Sequence, residues 1–174
     1  MQISATIADW DYFSSHCGEP WSELDETKSK CSVFTLRNDS FIENCDFAEF
    51  YLVQRSKLSP QFVPSLDRFL VNCTTDVSEP LGLSPDFDLA NKMDGIWSAL
   101  SPDTVQRRLV AIVSDQECLL CDTLRLLEKH VGDSTGRTDP VIESPRDVYE
   151  FLQLWIGVHA EALATSRGFM VTIN

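Results

Sequence analysis

Ser144-Pro-Arg-Asp-Val-Tyr-Glu-Phe-Leu-Gln-Leu-Trp155-Ile-Gly-Val-His159-Ala-Glu-Ala-Leu163-Ala-Thr-Ser-Arg-Gly168-Phe-Met-Val-Thr-Ile173 holds a helix and a strand end to end. Ser144 is a good helix cap, because its hydroxyl can accept from the free N–H groups of the first turn. Pro145 fits the first helical position, where no N–H is needed. Val148, Phe151, Leu152, Trp155, Val158, His159, Ala162 and Leu163 then recur at steps of three and four, which is the period of a helix with one buried face. Leu154 and Ile156 widen that stripe, so the spacing predicts a central helix over 145–166. Gly168, just past Arg167, is the expected terminator. Residues 169–173 follow as a β-rich strand.

The same Ser-Pro start occurs at Ser59-Pro60, Ser84-Pro85 and Ser101-Pro102. Asp86, Asp103 and Asp147 place an acid where the positive end of a helix dipole would welcome it. These signals predict helices over roughly 85–99 and 102–113. A further helix is expected at 115–131, with Cys118, Leu119, Cys121, Leu124, Leu127 and Val131 inward and Gly132 after it. Another is expected to start at Asp46 and carry Phe47, Phe50, Tyr51 and Val53. Residues 61–72 read as helical, with Pro64 moving the true start forward. Strands are expected at Gln2–Ile7, which alternates polar and apolar residues, and at Cys31–Leu36. The polar stretch from Gly132 to Pro140 reads as a loop. Together these elements predict an α+β fold: one mostly helical domain over 1–174, with a small sheet formed partly by the N- and C-terminal strands.

Part of the C-terminal half resembles a known family. Asn91-Lys-Met-Asp-Gly-Ile-Trp-Ser-Ala-Leu-Ser-Pro-Asp-Thr-Val105, then Tyr149-Glu-Phe-Leu-Gln-Leu-Trp155 and Gly168-Phe-Met-Val-Thr-Ile173, is similar to the end of the YfbM-like family of small bacterial proteins. The likeness lies in helical patterning over the C-terminal half. The N-terminal half lacks that family's Trp-x-x-Leu/Ile-His segment before a Leu-Thr-Gly turn. The resemblance implies a bacterial α+β domain and no particular reaction.

Charge is the unusual feature of the composition. Twenty-seven acidic residues against 14 Lys and Arg give a net charge of −13. Such a chain is repelled by nucleic-acid phosphates and anionic lipid and attracted to basic protein surfaces. Neither nucleic acid nor membrane is therefore expected as a partner. The chain start, Met1–Phe13, has no Lys or Arg and no long apolar run, so no secretory signal is read there and a cytoplasmic location is expected. On that reading Cys17, Cys31, Cys45, Cys73, Cys118 and Cys121 are free thiols, and the glycosylation patterns at Asn38 and Asn72 are without meaning.

The catalytic and metal motifs are weak. Cys118 and Cys121 have metal-pair spacing, but a zinc site needs four ligands and no second pair exists. The leucines between them place both thiols in a helix core. Adjacent His16 and Cys17 seldom face each other as a catalytic pair must. His159 lies on the apolar side of its helix and reads as a hydrogen-bonded core residue. His130 sits in a last helical turn, where a cation suits the dipole. Gly132-Asp-Ser-Thr-Gly-Arg137 lacks the Gly-Lys-Ser/Thr ending of a phosphate loop. No metal, cofactor or catalytic set is expected.

One run favours binding. Asp9, Asp11, Glu19, Glu23, Asp25 and Glu26 are uninterrupted by Lys or Arg, and Trp10, Tyr12, Phe13 and Trp21 lie among them. Aromatic anchors rimmed by one sign of charge suit a basic protein partner. The plainer alternative turns the aromatics inward and leaves the acids solvated. The function expected is a cytosolic, immunity-type inhibitor of a basic bacterial toxin, such as a nuclease-like one. A structural or adaptor subunit, or a small enzyme with a scattered site, is the alternative.

Overall fold

The computed structural model describes residues 3–16, 32–37, 47–73, 75–88, 95–113, 125 and 145–173. They form an α+β domain around a four-stranded sheet with β1 at Ile3–Ala8, β2 at Ser32–Arg37, β3 at Ile96–Leu100 and β4 at Gly168–Ile173. The strand order is β2-β1-β4-β3 and every neighbouring pair is antiparallel. The two chain-end strands are therefore the central pair, with Ile3 opposite Ile173, Ala5 opposite Val171 and Ile7 opposite Phe169. The described helices are α1 (Trp10–Ser15), α2 (Phe47–Arg55), α3 (Val63–Leu70), α4 (Thr75–Ser78), α5 (Pro102–Val113) and α6 (Pro145–Ala164).

The pleat sends alternate residues to opposite faces. On one face Ile3, Ala5, Ile7, Phe169 and Val171 join Phe151, Leu152, Trp155, Val158 and Ala162 of α6 in the main core. The other face is covered too: Ala8, Ala99, Ile96 and Met170 pack with Phe13, and Trp10, Tyr12 and Phe87 lie against them. This second cover explains why all six residues of β1 are buried, including Ser4 and Thr6. The polar half of the alternation in Gln2–Ile7 does not mark a solvated face.

The expected helix over 85–99 is not formed. Phe87 makes a parallel bridge to Ala99, and Ile96–Leu100 is the edge strand β3. Gly95 enters that strand at φ 80. Ser84-Pro85 opens an irregular segment, and the two acids after it serve tertiary contacts. Asp86 pairs with Arg68, and Asp88 Oδ2 accepts from the N–H of Ser101 at 2.7 Å. A register shift between Ile96 and Ser98 marks a bulge, and Trp97 packs on the main core.

The other expected elements that fall on described residues hold. Ser101 caps α5, its Oγ accepting from the Thr104 N–H at 3.3 Å. Pro64 does lie in the first turn of α3, and the chain before it is a turn in which Phe62 N–H reaches Ser59 O at 2.9 Å. Strand β2 covers the expected Cys31–Leu36 within one residue. Helix α2 carries Val53 exposed and Tyr51 buried. The proposed helix at 115–131, with Cys118 and Cys121, and the loop at 132–140 lie outside the described residues, apart from a helical Arg125.

The end of α6 corrects a detail. Arg167 N–H bonds Ala162 O at 2.9 Å and Ser166 N–H bonds Leu163 O at 3.1 Å, a Schellman pattern. The left-handed residue it requires is Ser166, at φ 54, not Gly168. Leu163 falls at the exposed edge of the stripe. Gly168 serves packing instead. A Cβ there would stand 2.6 Å from the Leu100 carbonyl oxygen and would strike the Trp10 ring.

Candidate functional site

The acidic-aromatic run is described only as far as His16, and Glu19, Trp21, Glu23, Asp25 and Glu26 lie outside the described residues. Its first acid, Asp9, caps α1: Oδ1 accepts from the Tyr12 N–H at 3.1 Å. Asp11 follows in the first turn and is exposed, where a carboxylate suits the dipole. The aromatics divide. Phe13 is fully buried, Trp10 packs against the sheet, and Tyr12 is half-buried with its ring 4.2 Å from that of His16. His16 Nδ1 lies 2.8 Å from the Tyr12 carbonyl oxygen. The inward alternative thus holds for Phe13 and in part for Trp10, while Asp11 remains free to meet a partner.

A second site was not legible in the sequence. Helices α3 and α5 pack side by side and leave a cleft of about 470 Å³. Arg68 contributes from α3, Arg107 and Arg108 from α5, and Asp86 from the irregular segment before β3. Arg108 is the buried member, its side chain 5% exposed. Its Nη2 donates to the carbonyl oxygens of Arg68 (2.8 Å), Val71 (2.6 Å) and Phe69. Those are carbonyls at or just past the end of α3, where a cation also meets the negative end of the dipole. The guanidinium carbon lies 6.0 Å over the Phe69 ring and 5.9 Å over Trp155, within cation–π range. Desolvation pushes the Arg108 guanidinium down to about 9, with Cys73 opposing and Arg68 adding to the fall. It is still charged at neutral pH.

Asp86 is fixed from two sides. Its carboxylate pairs with Arg68, and its N–H donates to Asn72 Oδ1 at 2.8 Å. Asn72 is fully buried at φ 77, so this side chain serves as an internal brace. Thr104, also lining the cleft, accepts from Arg107 Nη2 at 2.8 Å.

Two other polar groups are structural. Asp67 accepts from Tyr51 Oη at 2.7 Å and from Arg55 Nε at 3.2 Å, with Arg55 Nη2 on its second oxygen. Burial raises the Tyr51 pKa, and the hydrogen bond to Asp67 adds to the rise. Tyr51 is thus held as a neutral donor. His159 is fully buried among Phe69, Trp155 and Phe169, with ring centroids 4.6, 4.6 and 4.9 Å away. Its Nδ1 lies 2.9 Å from the Trp155 carbonyl oxygen, so Nδ1 carries the proton. Desolvation, reinforced by Arg108, lowers its pKa well below the usual value. It is the hydrogen-bonded core histidine expected, held at Nδ1, while its Nε2 is buried without a hydrogen-bond partner. Cys73 is fully buried; Cys17 lies outside the described residues.

Among the described residues no group of three His, Cys, Asp or Glu side chains could hold a metal ion. Comparison with protein-family models, with curated proteins and with solved structures finds no match.

Proposed function

We propose that this chain is a protein-binding inhibitor for a partner with a basic surface, an immunity-type protein working in the cytoplasm against a basic toxin such as a nuclease, and that it is not an enzyme. The observation that carries this reading is a net charge of −13, in which all 14 Lys and Arg are already counted. Arg55 is committed to Asp67, and Arg108 is buried against backbone carbonyls. The acids are left to set the field around the molecule, and such a field speeds encounter with a cationic partner. Asp11, on the exposed side of α1, belongs to the surface suggested for contact, with Asp9, Trp10, Glu19, Trp21, Glu23, Asp25 and Glu26. No helix among the described residues is long and apolar enough to cross a membrane, which is compatible with this reading.

The test is a titration against the purified product of the neighbouring gene at low and at moderate salt. Tight association that weakens steeply as salt rises supports the proposal. No association at low salt, or association indifferent to salt, overturns it.

A further inference from the structure

The cleft between α3 and α5 is a cationic place on an anionic protein. Among the described residues that line it, three guanidinium groups, Arg68, Arg107 and Arg108, accompany one carboxylate, Asp86, an excess of two positive charges; Asp88 acts on Arg108 from outside the lining. Its volume of about 470 Å³ lies within the range of small-molecule sites. Arg68 is 45% exposed at its side chain and can reach a ligand, whereas Arg108 forms the floor at 5%.

The floor is incompletely bonded. Nε and Nη1 of Arg108 are buried without a hydrogen-bond partner. The Asp86 Oδ2 atom is 3.9 Å from Nη1, too far for a hydrogen bond. A buried charged donor left unpaired costs free energy that an acceptor would recover. Asp86 Oδ1 is drawn onto Arg68, and its Oδ2 leaves Arg108 without a hydrogen bond. Thr104 Oγ1 accepts from Ser101 Oγ at 3.2 Å and from Arg107 Nη2 at 2.8 Å, so its own proton is available to an incoming oxygen.

We propose that this cleft binds a small phosphate monoester. A phosphate monoester carries about −1.5 to −2 charges at neutral pH and three acceptor oxygens, which balances the two positive charges. A carboxylate balances only one of them. Its oxygens take the place of Asp86 across Arg68 and Arg108, and Arg107 and the Thr104 hydroxyl close the third side. Phe69 lines the same cleft and offers an apolar wall to the organic part of the ligand. This inference is independent of the protein partner proposed above.

The experiment is a titration of the full chain, at low ionic strength and pH 7.5, with phenyl phosphate, inorganic phosphate and acetate, followed by backbone amide shifts. Saturable shifts centred on 65–68 and 104–108 are expected with phenyl phosphate, weaker ones with inorganic phosphate, and none with acetate. Arg107→Gln, an exposed position, should weaken phenyl phosphate about fivefold, and Asp86→Asn should tighten it by about the same factor, as removal of one near charge predicts. Absence of saturable shifts overturns the proposal, as do acetate binding as tight as phosphate or an Arg107→Gln affinity equal to that of the wild type. A thermal melt establishes that each variant is folded. Should Asp86→Asn fail to fold, the comparison of Arg107→Gln with the wild type decides the matter alone.

Discussion

Nη2 of Arg108 lies 2.6 Å from the carbonyl oxygen of Val71 and so fastens α5 to the end of α3. Trp155 of α6 reaches the same place, its Nε1 donating to Phe69 O at 2.8 Å. Three helices thus converge on the backbone where α3 ends. A helix leaves its last carbonyls without internal partners, and burial makes each such orphan expensive.

Arg108→Met should therefore cost about 3 kcal/mol, since it leaves buried carbonyls unsatisfied at ~1–3 kcal/mol each while keeping most of the apolar stem. Arg108→Lys should recover little of it, because one ammonium does not reproduce a planar fork. Urea unfolding curves measure both. A loss below about 1 kcal/mol in Arg108→Met would show that water replaces the guanidinium on those carbonyls.

What was readable in the chain follows from how local each signal is. The stripe from Phe151 to Ala162 and the run from Phe169 to Ile173 declare their period within a few residues, and both are formed as expected. Ser84-Pro85-Asp86 carries the same local marks as Ser101-Pro102-Asp103, yet only the second starts a helix. The difference is tertiary: Arg68 takes Asp86, and β4 takes Ile96–Leu100 as its partner. The arginine cleft was illegible for a related reason. Arg68 and the pair Arg107–Arg108 sit on separate helices, and no spacing along the chain announces that those helices pack together. Within α1, by contrast, the Asp9 cap was within reach of the sequence, since Asp three residues before the receiving N–H is a familiar start signal.

His159 makes stability depend on pH. Folded, its pKa lies well below the usual 6.5 because of desolvation first and Arg108 second; unfolded, it returns to about 6.5. The unfolded chain therefore binds a proton that the folded one refuses. The associated stability is complete above the unfolded pKa and is lost progressively as pH falls below it. The slope approaches about 1.4 kcal/mol per pH unit. Between pH 7.5 and 5.5 the wild type should lose about 1.4 kcal/mol from this group. His159→Gln should be less stable at pH 7.5 but should lose less over the same interval. Equal slopes in the two proteins, measured by urea unfolding, would mean that other groups set the acid sensitivity.

Gly168 is held to hydrogen by its neighbours. Gly168→Ala puts a methyl group 2.6 Å from the Leu100 carbonyl oxygen and into the Trp10 ring. Overpacking of this kind costs about 1–3 kcal/mol. The backbone half of the clash cannot be relieved by trimming the aromatic. Gly168→Ala should thus stay destabilised in a Trp10→Ala background, and a double-mutant cycle of melting temperatures measures it. Full rescue by Trp10→Ala would assign the whole cost to the ring and none to β3.

Asp9 and Asp11 are near neighbours in sequence with separate work to do. Asp9 Oδ1 accepts from the Tyr12 N–H, whereas Asp11 is exposed and lacks such a cap bond. Asp9→Ala should lower stability by about 1 kcal/mol, the usual cost of a lost cap. Asp11→Asn should change it by less than about 0.5 kcal/mol, as surface substitutions do. The order reverses for association. If the acidic face steers a basic partner, Asp11→Asn slows association at low salt by a factor of about two and leaves dissociation nearly unchanged, because a rim charge acts on encounter. Stopped-flow rates at two salt concentrations, set beside thermal melts of the same variants, separate the two roles. An Asp11→Asn protein with wild-type association at low salt would remove α1 from the contact surface and leave the charge on this helix to stability alone.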